Sequence, residues 1–103
     1  MRNTVVGTIL EFSDKIKDGR TEADIMLSAM EEMGELSLEI KINNGLSYKT
    51  EGIDGIVGEA IDVINCMVDL ILTHTGNITE EQLQVITENK CKKWLEKSKL
   101  INK

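Results

Sequence analysis

The chain has no proline, one histidine, two cysteines and three aromatic residues among its 103 residues. Few aromatic side chains, together with abundant Leu, Ile, Met, Glu and Lys, favour helices over strands. A chain of this length fits one domain, residues 1–103. Its core is small, and a helical bundle that pairs with copies of itself would bury more apolar surface. The composition therefore predicts a small all-α domain.

Positive charge is scarce, and the net charge of −6 argues against nonspecific nucleic-acid binding as the main role. The basic residues are unevenly distributed, because residues 90–103 carry six lysines against one acid, Glu96. An acidic body with a basic end suits a site that holds cations together with a phosphate-bearing ligand. The alternative is a bundle with a solvated cationic end.

Long apolar runs are absent as well. Charges such as Asp62 and Asp69 interrupt the longest apolar stretches, so we expect no membrane-spanning segment. No secretory signal opens the chain. Cys66 and Cys91 fall within helical patterns and are expected to be buried thiols in a reducing compartment. The expected location is the cytoplasm.

Apolar periodicity predicts four helices. They cover about residues 4–18, 21–42, 54–74 and 79–99. Thr21 with Asp24, and Thr79 with Gln82, have the spacing of a capping box at a helix start. Residues 43–53 show no clear pattern and form the longest connection.

Carboxylates lie beside the apolar faces of the second and third helices. At about 100° per residue, Glu32 and Glu35 fall on one side of the apolar face of the second helix. Glu59 and Asp62 fall on the same rotational side of the third helix. A short connection favours antiparallel packing, which puts both pairs on one rim of the interface. We therefore expect these four side chains to converge at the edge of the core.

A cluster of this kind is unstable unless its charge is neutralised, because like charges repel strongly in a partly dry site. Oxygen ligands without Cys or His favour Mg²⁺, Mn²⁺ or Ca²⁺ over zinc or copper. The alternative is a solvated acidic face, which is common on helices. A di-iron bundle needs a Glu-x-x-His motif on each of two helices, and the only histidine, His74, has no Glu three residues before it.

The segments EEMGEL at 31–36 and GEAIDV at 58–63 resemble the signature of the MazG-like all-α nucleoside triphosphate pyrophosphohydrolases. That signature is E-E-x-x-E, a gap, and then E-x-x-D. Here 23 residues separate Glu35 from Glu59. The motif-bearing helices span about residues 22–74, and the flanking helices also fit, so the resemblance covers nearly the whole chain.

The resemblance implies a MazG-like four-helix bundle that assembles into dimers or tetramers, with the active site beside a subunit interface. It implies hydrolysis of a nucleoside or deoxynucleoside triphosphate to monophosphate and pyrophosphate. Mg²⁺ is the implied cofactor, with Mn²⁺ as a substitute. The implied metal ligands are Glu32, Glu35, Glu59 and Asp62. Glu31 matches the first acid of the doublet.

Phosphoryl transfer depends on charge neutralisation and positioning more than on an elaborate nucleophile. Glu35, with Glu32 beside it, is the candidate catalytic carboxylate that accepts a proton from water. Lys90 and Lys93 share a stripe of the fourth helix and are candidates for binding the phosphates, a solvated lysine face being the alternative. Glu31 is a further substrate-binding candidate.

Asn65 lies one turn beyond Asp62 and is a candidate for binding the base or sugar. Its alternative role is to complete the polar rim. Phe12 and Trp94 are candidates for stacking on a base, or else belong to the core or an interface. Two other functions stay open: a non-catalytic acidic helical module that binds nucleotide or a partner, and a dUTPase- or dCTPase-type relative of narrow specificity. The acidic motif does not separate these, because all would share metal and triphosphate recognition.

Overall fold

A computed structural model describes residues 4–16, 19–50 and 52–101, in which four α-helices and no strands are present. The helices are α1 (Val5–Lys15), α2 (Glu22–Asn43), α3 (Gly55–Thr75) and α4 (Glu80–Ile101). The all-α prediction is confirmed. Helix α1 ends at Lys15, earlier than the predicted residue 18, and residues 17–18 lie outside the described part.

The starts of α2 and α4 are held by the capping boxes that the sequence predicts. Thr21 Oγ1 accepts a hydrogen bond from Asp24 N at 3.1 Å, and the Asp24 carboxylate accepts one from Thr21 N at 2.9 Å. Thr79 and Gln82 make the same pair of bonds at 3.2 and 2.9 Å. Helix α3 ends at Gly76, which adopts φ +80°. This left-handed conformation favours glycine.

Helices α2 and α3 form an antiparallel pair. His74 Nδ1, at the end of α3, lies 2.7 Å from Glu22 Oε1, at the start of α2. At the other end of the pair, Gly52 N donates to Glu39 Oε1 at 2.6 Å. Helix α1 packs on α3, and within the described residues α4 contacts only α1. Side chains of α2 and α3 therefore meet between these two end contacts.

The core of the single chain is thin. Its buried apolar residues are Ile25, Ala29, Val68 and Leu83. Met26, Met30 and Met33, on the face of α2 predicted to be apolar and packed, are 47%, 61% and 55% exposed. The accessible surface is 7913 Å², whereas a compact monomer of this mass has about 5,800 Å². The radius of gyration is 16.2 Å, against about 13 Å for a compact chain of this length.

The two thiols differ from the sequence expectation. Cys66 is partly buried on α3, but Cys91 is exposed on α4, so the prediction of two buried thiols is wrong for Cys91. The physical reason is that, within the described residues, α4 approaches only α1, so much of its surface is left uncovered. No helix of the described residues has the length and apolar character needed to cross a membrane.

Candidate metal centre

Three of the predicted carboxylates meet at the middle of the α2–α3 pair. One oxygen from each of Glu32, Glu59 and Asp62 lies within 4.8 Å of the others. Glu32 comes from α2, and the other two come from successive turns of α3. Each side chain is partly buried. The antiparallel pairing thus brings both acidic pairs to one rim, while their role as metal ligands stays a prediction.

Glu35 belongs to the same electrostatic cluster. Partial burial raises the pKa of Glu32, and the negative charges of Glu35, Asp62 and Glu31 raise it further. Partial burial also raises the pKa of Glu59, followed by the charges of Glu35, Asp62 and Glu32. The proximity of the Glu35 side chain adds to the increase in both cases. Neighbouring negative charges disfavour full ionisation of the cluster, so the cluster favours a proton or a cation.

Two oxygens of the cluster have unmet bonding capacity. Glu32 Oε2 and Glu59 Oε2 are buried, and neither has a hydrogen-bond partner. Buried polar atoms are normally paired, because leaving one unpaired loses the free energy of its hydration. A divalent cation with a preference for oxygen ligands would satisfy both atoms and offset the repulsion. The three carboxylates are therefore a donor set that could hold a divalent cation with a preference for oxygen ligands, and the identity of that ion stays a prediction.

The substrate-binding candidates are divided between two regions. Lys90 and Lys93 are exposed on α4, and because α4 contacts only α1 in the described chain, one chain does not bring them against the carboxylates. Asn65 is exposed on α3 and lines a cleft between α1 and α3 together with Phe12. Glu31 is exposed beside Glu32, and its charge raises the pKa of that neighbour.

Trp94, the other candidate for base stacking, is 74% exposed on α4 and does not line the cleft. Its exposure has the same cause as that of Cys91, since α4 approaches only α1 within the described residues.

The structure also reveals a buried ion pair that was not foreseen. Asp69 is only 7% exposed, and its carboxylate accepts hydrogen bonds from Arg20 at 2.8 and 3.2 Å and from Ser13 Oγ at 2.5 Å. The spacing of Asp62, Asn65 and Asp69 along one stripe of α3 is a signal that could have identified Asp69. Arg20 lies between two helices, where no periodic signal marks a residue.

Glu39 is a second unforeseen feature. Its position on α2 extends the acidic side that carries Glu32 and Glu35. Its carboxylate is buried, however, and accepts a hydrogen bond from Gly52 N at 2.6 Å, while its Oε2 atom has no partner. Glu39 therefore holds the connection that leads into α3, about two helical turns from Glu32 along α2.

Comparison of the chain with protein-family models, curated proteins and solved structures found no match. The resemblance to the MazG-like signature therefore stays a prediction from the sequence.

Proposed function

We propose that this chain is a magnesium-dependent nucleotide pyrophosphohydrolase, which converts a nucleoside or deoxynucleoside triphosphate into a monophosphate and pyrophosphate. The observation that carries the proposal is the meeting of Glu32, Glu59 and Asp62 within 4.8 Å. The unpartnered buried oxygens of Glu32 and Glu59 support it. The resemblance of the two acidic segments to the MazG-like signature supports the reaction class.

In this proposal Glu32, Glu59 and Asp62 hold the metal ion. Bound Mg²⁺ would neutralise phosphate charge and lower the pKa of a coordinated water. Glu35 lies close enough to raise the pKa of both Glu32 and Glu59, and it is exposed. Glu35 is therefore the carboxylate best placed to accept a proton from water, with Glu32 beside it as the second catalytic candidate.

The reaction is tested by measuring pyrophosphate release from a panel of NTPs and dNTPs with and without Mg²⁺. We expect release that requires Mg²⁺, with the monophosphate as the other product. Glu35→Gln and Asp62→Asn should stay folded and lose about 100-fold or more in kcat/KM, because the first removes the proton acceptor and the second removes a charged ligand of the metal ion. Glu96→Gln, at an exposed position on α4, is the matched control and should retain wild-type activity.

Full turnover by either Glu35→Gln or Asp62→Asn would contradict the assigned roles. Absence of release from every triphosphate by a folded protein would favour the non-catalytic alternative. Preference for dUTP or dCTP alone would favour the narrow-specificity alternative. Circular dichroism and thermal melting establish in each case that the variant is folded.

We also propose that the chain self-associates through the open apolar face of α2. The exposed Met26, Met30 and Met33 support this, as does an accessible surface about 2,000 Å² larger than that of a compact monomer. A buried area of that size is typical of a specific interface. Lys90 and Lys93 would then bind the phosphates of a substrate held at the carboxylate cluster of a second copy. Within the described residues, α4 does not approach the helices that carry the cluster of its own chain.

Subunit mixing tests this arrangement. Glu59→Gln and the double variant Lys90→Ala/Lys93→Ala should each be inactive alone. Co-expression of the two should restore activity, since a mixed oligomer has one site with both intact parts. Sedimentation of the wild-type chain as a monomer at micromolar concentration would contradict the proposed assembly. Failure of mixing to restore activity in an oligomer would contradict the role of the lysines.

A further inference from the structure

The cleft between α1 and α3 has a volume of about 390 Å³, which is within the range of small-molecule sites. Ile9 and Phe12 of α1, together with Ile16 directly after it, give the cleft an apolar wall, and Asn65 of α3 adds an amide. Phe12 is 50% exposed, with Lys15 Nζ 5.3 Å from the centroid of its ring, so part of the ring is open to a ligand. An aromatic ring and an amide suit a planar, uncharged group that stacks and forms hydrogen bonds.

The cleft begins about one helical turn from the candidate metal centre along α3. Asn65 lies three residues after Asp62, which is about 4.5 Å along the helix axis. Cys66, which also lines the cleft, has its pKa raised by partial burial and then by the charges of Glu32, Asp69 and Asp62. Cys66 therefore lies between the carboxylate cluster and the buried Asp69. A ligand with its phosphates at the cluster would extend its other end into the cleft.

Asp69 organises the polar groups at the far part of the cleft. Arg20 and Ser13 both line the cleft, and both donate hydrogen bonds to the Asp69 carboxylate. Both carboxylate oxygens are engaged, since Arg20 contacts Oδ1 and Oδ2. The Ser13 hydroxyl proton is directed to Asp69, so Ser13 Oγ presents only its acceptor capacity to a ligand.

We propose that this cleft takes the nucleoside end of the substrate, and that Ser13 and Arg20, positioned by Asp69, determine which base it accepts. The proposal rests on the proposed pyrophosphohydrolase function and extends it. A base with an N–H group at the edge that meets Ser13 Oγ is favoured, because Ser13 acts there as an acceptor. Phe12 stacks on the base, and the Asn65 amide contacts the sugar or the near edge of the base.

A nucleoside is a better occupant than a phosphate group on two grounds. The wall formed by Ile9, Phe12 and Ile16 offers no charge to an anion. The Arg20 guanidinium, which a phosphate would require, is already paired with Asp69. Asp69 itself is a positioning residue, because it acts on a ligand through Ser13 and Arg20.

The test compares a nucleotide panel with inorganic tripolyphosphate, which carries the phosphates without a nucleoside. We expect the wild-type protein to prefer nucleotides. Ser13→Ala should lower the ratio of nucleotide to tripolyphosphate kcat/KM by about tenfold, the effect of one lost hydrogen bond. It should also change the ranking of the bases. Ser13→Thr, which keeps the hydroxyl, should restore the ratio. Ser28→Ala, at an exposed position on α2, is the matched control and should not change it.

A parallel binding measurement keeps the outcome independent of catalysis. Calorimetry with Mg²⁺ and a non-hydrolysable α,β-imido nucleotide should show about tenfold weaker binding to Ser13→Ala than to Ser28→Ala. Equal selectivity and equal affinity for these two variants would overturn the cleft proposal and leave the hydrolase function intact. Weaker binding by Ser13→Ala with no hydrolysis by the wild-type protein would support the cleft and overturn the hydrolase function. Asp69→Asn should reproduce the Ser13→Ala change in base ranking if it remains folded.

Discussion

Removal of one charge from the carboxylate cluster should stabilise the metal-free protein. Glu32 lies within 4.8 Å of Asp62, and its pKa is raised by burial and by neighbouring negative charges. At 4.8 Å, two unit charges repel by about 3.5 kcal/mol at an effective dielectric constant of about 20 and by about 0.9 kcal/mol in water. Because Glu32 is partly exposed and salt screens its charge, we expect Glu32→Gln to raise the free energy of unfolding by about 1 kcal/mol.

The pH dependence of this gain follows from the direction of the pKa shift. A carboxyl group whose pKa is higher in the folded state destabilises the fold once pH rises through that pKa, because the folded protein must then carry the ionised group. Ionisation of Glu32 therefore lowers the free energy of unfolding of the wild-type chain at neutral pH. The amide of Glu32→Gln carries no charge, so the variant is not destabilised in this way. The advantage of Glu32→Gln should therefore be present at pH 7 and absent near pH 4, below the ordinary pKa of a glutamate.

Thermal melting in EDTA at fixed protein concentration measures the effect. For a chain of about 100 residues, 1 kcal/mol corresponds to an increase in Tm of about 4–8 °C. Added Mg²⁺ should stabilise the wild-type protein more than Glu32→Gln, since the variant lacks one ligand. Glu96→Gln should change stability by less than about 0.5 kcal/mol. A Tm for Glu32→Gln at or below that of the wild type in EDTA at pH 7 would refute the reasoning.

Three further predictions concern local structure and are measured by chemical unfolding. Thr21→Ala removes a capping hydrogen bond from α2 and should cost about 1 kcal/mol, and no loss would mean that the cap is unimportant. Gly52→Ala places a Cβ atom 2.6 Å from Glu39 Oε1, and should cost about 1–3 kcal/mol as the buried carboxylate loses its hydrogen bond. Gly34→Ala meets open space within α2 and should add up to about 1 kcal/mol, whereas destabilisation would indicate that another chain packs there.

The helices and their starts could be predicted from the sequence because their causes are local. Apolar periodicity and the capping spacings at Thr21 and Thr79 act within a few residues of the chain, so they do not depend on partners far away. The prediction that Glu32 converges with Glu59 and Asp62 required one further inference, about how the two helices pack. It followed from the rotational position of each acid on its helix and from antiparallel packing across a short connection.

The sequence by itself determined four helices and the acidic rim, because both depend on regular spacing along a helix. Only the tertiary structure decided that Arg20 pairs with Asp69 and that Glu39 holds Gly52, since these contacts join segments without a shared periodicity. Only the tertiary structure decided how much of the apolar surface is covered. Periodicity indicates which face of α2 is apolar, but burial depends on what packs against that face, and the single chain leaves Met30 largely exposed.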